Sequence, residues 1–164
     1  MARLFLFILL LLFSVSCFTE TDCLITATTS IKIDFKQTKT DKITLLKSVV
    51  DSALVFTSVW VSDIDSAYIK FVKDKQYTSV TLPINPQKKS VKYVFNIQSK
   101  SGVILRKDSI QLSFSNESRV ISQKCGAYTY FLDLKVTSTS FDSTKYKLTN
   151  NRLLKGVTNV QVFF

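Results

Sequence analysis

Histidine is absent from all 164 residues. With it go the catalytic triads that use an imidazole base, most zinc sites, and any imidazole switch near neutral pH. Glycine is nearly as scarce: three are present and none are grouped, so no glycine loop is available to cradle a phosphate. The two prolines, Pro83 and Pro86, bracket a single loop, since proline cannot donate to a β-ladder. Acidic residues number 12 against 22 basic ones, which narrows the choice of paired carboxylates for hydrolysis. The candidates are Asp63 with Asp65, and Asp133 with Asp142 if folding brings them together. The first pair sits in a turn by composition, residues 62–66, and brings too few oxygens for a calcium site. These absences predict a protein that is not an enzyme and needs no metal or cofactor.

The amino terminus reads as an export signal. One arginine is followed by an unbroken apolar run, residues 4–13, and then Ser14, Val15, Ser16 and Cys17; the run is short for a bilayer span, and small residues follow it. Cleavage after Ser16 and cleavage after Cys17 both fit, and lipidation of Cys17 is a third outcome. With residues 1–17 as the signal peptide, residues 18–164 form one domain long enough for a real core. No second apolar segment of membrane length follows, and the chain ends without a charged retention tetrapeptide. The expected location is the exterior or the endoplasmic reticulum lumen. Among the three cysteines, loss of Cys17 leaves Cys23 and Cys125 as an even pair in an oxidising compartment, where a disulfide is the natural reading. Closing a loop of about a hundred residues would stabilise the fold by about 4 to 5 kcal/mol as an upper figure.

What the chain does contain is period-two hydrophobicity. In residues 125–136, Tyr128, Tyr130, Leu132, Leu134 and Val136 leave one face of an extended strand, with Thr129, Phe131, Asp133 and Lys135 on the other; the first set is the expected core face. Residues 53–62 are apolar on both faces, as in a covered central strand. Trp60, the only tryptophan, is expected there as core filler. Ile31, Ile33 and Phe35 alternate with Lys32 and Asp34, and Val91, Tyr93, Phe95 and Ile97 do the same before a turn at 99–102. Further short strands are expected at 68–72, 77–82, 103–106, 110–114 and 157–164, with a weaker one at 43–50 and a polar loop at 37–42. The sum is an all-β chain, an immunoglobulin- or fibronectin-like β-sandwich of eight or nine short antiparallel strands.

The net charge of +10 suggests anionic partners: glycans, lipid head groups or acidic proteins. Lysines on wet strand faces also discourage edge pairing, without any ligand. The basic clusters are Lys70, Lys73 and Lys75; Lys88, Lys89 and Lys92; and Arg106 with Lys107. They form a candidate anion-binding patch if their hairpins meet at one end. Nucleic acid is not an expected partner, because most aromatics alternate into the core. Asn116, Glu117 and Ser118 form an N-glycosylation sequon, read as a loop following the strand at 110–114.

The run Gly126, Ala127, Tyr128, Thr129, Tyr130 resembles the Gly-x-Tyr that opens a late strand of immunoglobulin-like domains. Tyr130 stands where such domains carry their second cysteine, so their inter-sheet bridge is not available. Together with Ile69, Lys70 and Phe71, and with the closing Val160, Gln161, Val162, Phe163 and Phe164, it resembles over residues 43–164 the lumenal sandwich of the ribophorin II subunit of oligosaccharyltransferase. The resemblance implies a non-catalytic interaction module in the secretory pathway, an accessory subunit of a membrane-associated complex with a protein partner. That family's histidine-containing motif has no counterpart here, and no functional residue carries over. The alternative expectation is an extracellular protein that binds polyanions or glycans through its basic hairpins.

Overall fold

A computed structural model describes residues 27–62, 68–71, 75–98, 104–141 and 146–163. Eleven strands are present among these residues: β1 Ser30–Thr40, β2 Lys47–Asp51, β3 Leu54–Val61, β4 Tyr68–Lys70, β5 Gln76–Tyr77, β6 Ser79–Pro83, β7 Ser90–Gln98, β8 Ile104–Ser122, β9 Gly126–Thr139, β10 Tyr146–Leu148 and β11 Val160–Phe163. No helix among the described residues is long and apolar enough to cross a membrane. The leader, Cys17 and Cys23, Asp63, Asp65, Lys73 and Asp142 lie outside the described residues.

The strands form two sheets. The five-stranded sheet runs β10-β11-β1-β2 with β6 also on β1, and the six-stranded sheet runs β4-β3-β7-β8-β9 with β5 also on β3. Alternation is the cause: Ile31, Ile33 and Phe35 of β1 are fully buried, as are Tyr93 and Phe95 of β7 and Ile110 and Leu112 of β8. Each sheet thus turns one row of apolar side chains inward, and neither row can leave water except against the other. The meeting is direct, with Phe35 of the first sheet 5.0 Å from Phe56 and 6.0 Å from Phe95 of the second, centroid to centroid. Such tilted and edge-on ring pairs add to what area burial already contributes. Tyr93 fits this dry layer because its hydroxyl donates to the Pro83 carbonyl at 2.7 Å, and burial pushes its pKa upward.

Several details differ from the sequence expectation. Eleven strands replace eight or nine, and one pair is parallel: β1 beside β11, with Ile33 opposite Val160 and Phe35 opposite Val162. The short strands expected at 103–106 and 110–114 are parts of β8, which runs for 19 residues. The polar Lys107, Asp108 and Ser109 do not interrupt it, because they pair with Asn96, Phe95 and Val94 of β7 and because Asp108 is ion-paired with Arg106. The strand expected at 77–82 divides at Thr78, whose carbonyl accepts the Phe35 amide; β5 before it joins β3, and β6 after it joins β1. The loop expected at 37–42 is strand as far as Thr40, and the strand expected from residue 43 begins at Lys47.

The phase of two strands also changes midway. Opposite Phe114 alone, β9 places both Asp133 and Leu134, and Asp133 takes φ +53°. This is a β-bulge, and it moves the side chains that follow to the other face, as far as a second register shift at Thr137. Phe131, expected on the wet face, is 1% exposed, while Tyr130 and Leu132, expected inside, are half-buried; Leu134 then returns to the core. In β3 the extra residue is Thr57, unpaired between Phe56 and Ser58. Phe56, Val59 and Val61 are therefore all buried. Trp60 is half-buried and lies outside the core, which corrects its expected role as filler.

Candidate binding surface

The bulge at Thr57 determines what the six-stranded sheet shows to solvent. Past it, Ser58 and Trp60 alternate with the buried Val59 and Val61, so they take the outward face. On β7 the outward set is Lys92, Val94 and Asn96, between the buried Val91, Tyr93, Phe95 and Ile97. On β8 it is Lys107, Ser109 and Gln111, between the buried Asp108, Ile110 and Leu112.

Register assembles these residues into three rows. Ser58, Asn96 and Lys107 form one, which continues to Lys70 of β4. Trp60, Val94 and Ser109 form the middle row, and Lys92 with Gln111 forms the third, extended by Ser138 of β9. Rows on one face lie about 7 Å apart along the strand, and neighbouring strands about 5 Å apart. Lys92 and Lys107, both exposed, therefore flank Trp60 and Val94 within a span of roughly 15 Å. Asn96 is fixed toward this face, its amide donating to Ser58 Oγ at 2.7 Å. Among the described residues these rows contain no carboxylate. One row farther on, Lys135 lies opposite Ser113.

The remaining predicted basic residues are distributed along the length of the sheet. Lys88 and Lys89 precede β7, where the Lys89 carbonyl accepts the Phe114 amide. Arg106 pairs with Asp108 on the inward-facing set of β8, and Lys75 lies 5.4 Å from the centroid of the Tyr77 ring. Seven residues of β8 separate Lys107 from Phe114, roughly 23 Å of strand. That exceeds the screening distance of roughly 8 to 10 Å in physiological salt, so Lys107 and the Lys88–Lys89 pair act as separate fields, with Lys92 between them. Of the predicted set, Lys92 and Lys107 join one surface with Lys70 in line with it. Trp60, Asn96 and Lys135 complete that surface and were not among the predicted binding residues.

The other predicted sites have definite settings. Asn116 lies in β8, where a loop was expected, opposite Phe131 of β9. The strand continues through this polar stretch because β9 pairs with it as far as Ser122. The Asn116 amide donates to the Pro86 carbonyl at 2.7 Å, and Ser118 Oγ is 3.1 Å from Thr129 Oγ1. Asp133 is exposed and accepts a hydrogen bond from Ser115 Oγ at 2.9 Å. Cys125, in the turn between β8 and β9, donates its amide to Ser122 Oγ at 3.0 Å.

A concavity of about 330 Å³ lies beside β9, with Glu117, Arg119, Tyr130 and Arg152 among its lining. Arg119 donates to Glu117 at 2.9 Å, and this bond holds the glutamate below the usual carboxylate range. Sequence reading passed over both arginines, since Arg152 reaches this place only through the backbone bonds of residues 151–153 to β9, from Leu134 N to Asn151 O and from Leu153 N to Phe131 O.

No curated protein and no solved structure matches the chain. Residues 56–164, which begin in β3 and contain both the outward-facing rows and the concavity, match a family of unknown function, and the chain belongs to that family, DUF6452.

Proposed function

We propose that this chain is an exported, non-catalytic binding protein of the immunoglobulin- or fibronectin-like sandwich class, and that its partner is an anionic glycan or similar polyanion docked on the outer face of the six-stranded sheet. One observation carries this: Lys92 and Lys107 flank Trp60 in rows that hold asparagine, glutamine and serine and no carboxylate among the described residues. A sheet face with one aromatic ring, hydrogen-bonding amides and unopposed lysines suits a sugar ring bearing sulfate or carboxylate, with the ring against the indole and the anion at the ammonium groups. The other expectation, docking into a protein complex of the secretory pathway, calls for a larger apolar contact than Trp60 and Val94 provide.

Export follows from the leader, with residence outside the cell or in the endoplasmic reticulum lumen. The same compartment supports a Cys23–Cys125 disulfide. It also supports a glycan at Asn116, whose side chain is exposed.

Chromatography on immobilised heparin tests the reading. The protein is expected to elute at a salt concentration that falls clearly for Lys92→Glu/Lys107→Glu and less for Lys88→Glu/Lys89→Glu, because each unopposed lysine at the contact contributes to the salt-dependent affinity. Equal losses for the two double variants would reduce the face to a share of the net charge. No retention of the unmodified chain would dismiss the polyanion.

A further inference from the structure

The largest departure from ordinary surface chemistry is at the end of the β1–β2 ribbon. Ile43 is 93% exposed, Leu45 74%, Leu46 70% and Val49 58%. Scattered apolar residues on a surface need no explanation, but four gathered at one tip do. The body does not shelter them: β11 accompanies β1 only as far as Lys36, and from Gln37 to Thr40 its one ladder partner among the described residues is β2. The ribbon therefore projects by about four residues, roughly 13 Å, before the turn at 41–46.

That turn is built. Asp41 Oδ1 accepts the amides of Ile43 and Thr44, each at 2.8 Å. The Asp41 amide donates to Leu46 O and the Leu45 amide to Asp41 O. The Thr44 and Ile43 amides hold the Asp41 carboxyl below its usual range. Leu45 sits at φ +57°, a left-handed conformation in which glycine or asparagine is the low-cost residue and leucine is strained. A strained leucine with three quarters of its surface in water does nothing for the core, so the fold gives no reason for it.

Lys39, Lys42 and Lys47 surround the tip and are all exposed. The nearby Asp41 is committed to the turn amides and Asp51 to Lys36, leaving an apolar tip inside a cationic collar. We infer that the β1–β2 tip inserts into the interface of an anionic phospholipid membrane, with Ile43, Leu45 and Leu46 entering the acyl boundary and the three lysines meeting head-group phosphates. The convex shape fits a fluid interface, apolar penetration and lysine attraction add together there, and long lysine stems let the charge stay at head-group level.

Co-sedimentation of the full chain with phosphatidylcholine vesicles, with and without phosphatidylglycerol, tests this. Binding is expected with the anionic vesicles, weakening as salt rises. Leu45→Ser/Leu46→Ser is expected to lower it about tenfold or more, and Lys42→Glu/Lys47→Glu by a comparable factor. Leu45→Asn separates membrane binding from folding: it relieves the left-handed strain, so thermal stability should hold or rise while vesicle binding falls. Absence of vesicle binding, or binding that these variants leave unchanged, would overturn the inference. So would self-association of the chain that Leu45→Ser/Leu46→Ser abolishes without any vesicle binding, which would assign the tip to a second copy.

Discussion

Asp133 and Thr57 decide, one residue each, which side chains of β9 and β3 meet water. Asp133 holds φ +53° with its carboxylate on Ser115 Oγ, and aspartate tolerates this conformation better than branched or bulky residues do. Replacing it with valine should cost about 1–2 kcal/mol, as a β-branched residue is forced into the left-handed region, while Asp133→Gly should cost less. Urea unfolding of the two variants checks the order, and a valine variant as stable as the parent would remove the bulge from this role. The same two positions mark where sequence reading failed. Residues 125–136 alternate and residues 53–62 are apolar on both faces without a visible break in either, because an inserted residue changes the phase without changing the composition. The predicted core face of β9 thus holds at Leu134 and Val136 and is inverted at Phe131, and Trp60, expected as core filler, lies outside the core.

At the scale of elements, β1 and β11 were legible as Ile31, Ile33, Phe35 and Val160, Val162, but their parallel pairing was not. That pairing depends on one buried amide. Asn159, fully buried, accepts the Lys32 amide at Oδ1 and donates from Nδ2 to the Arg152 carbonyl at 2.8 Å, while its own amide donates to the Lys32 carbonyl. It thereby ties the segment that carries Arg152 to the central strand of the five-stranded sheet. Asn159→Ala would leave the Lys32 amide and the Arg152 carbonyl without that partner, an expected loss of about 2–3 kcal/mol. Asn159→Asp should be at least as damaging, since it sets a carboxylate against a carbonyl. Equilibrium unfolding reads both, and a loss below about 0.5 kcal/mol in the alanine variant would show that the tie carries no load. Nothing in the local sequence around Asn159 marks it, because its partners lie as far as 127 residues away.

For the molecule as a whole, two layers stacked on a common dry core were legible from period-two hydrophobicity, and the excess of lysine was legible from composition. The arrangement of that charge was not, because register across β3, β7 and β8, and not proximity in the chain, puts Lys92 and Lys107 around Trp60. The binding account rests on this arrangement, and the single tryptophan makes it directly observable. Titration of the protein with a sulfated oligosaccharide, following intrinsic tryptophan emission, should give a saturable change that weakens as salt rises and is lost in Lys92→Glu/Lys107→Glu. Saturable binding seen by calorimetry with the Trp60 emission unchanged would contradict the account, since the ligand would then occupy some other part of the surface.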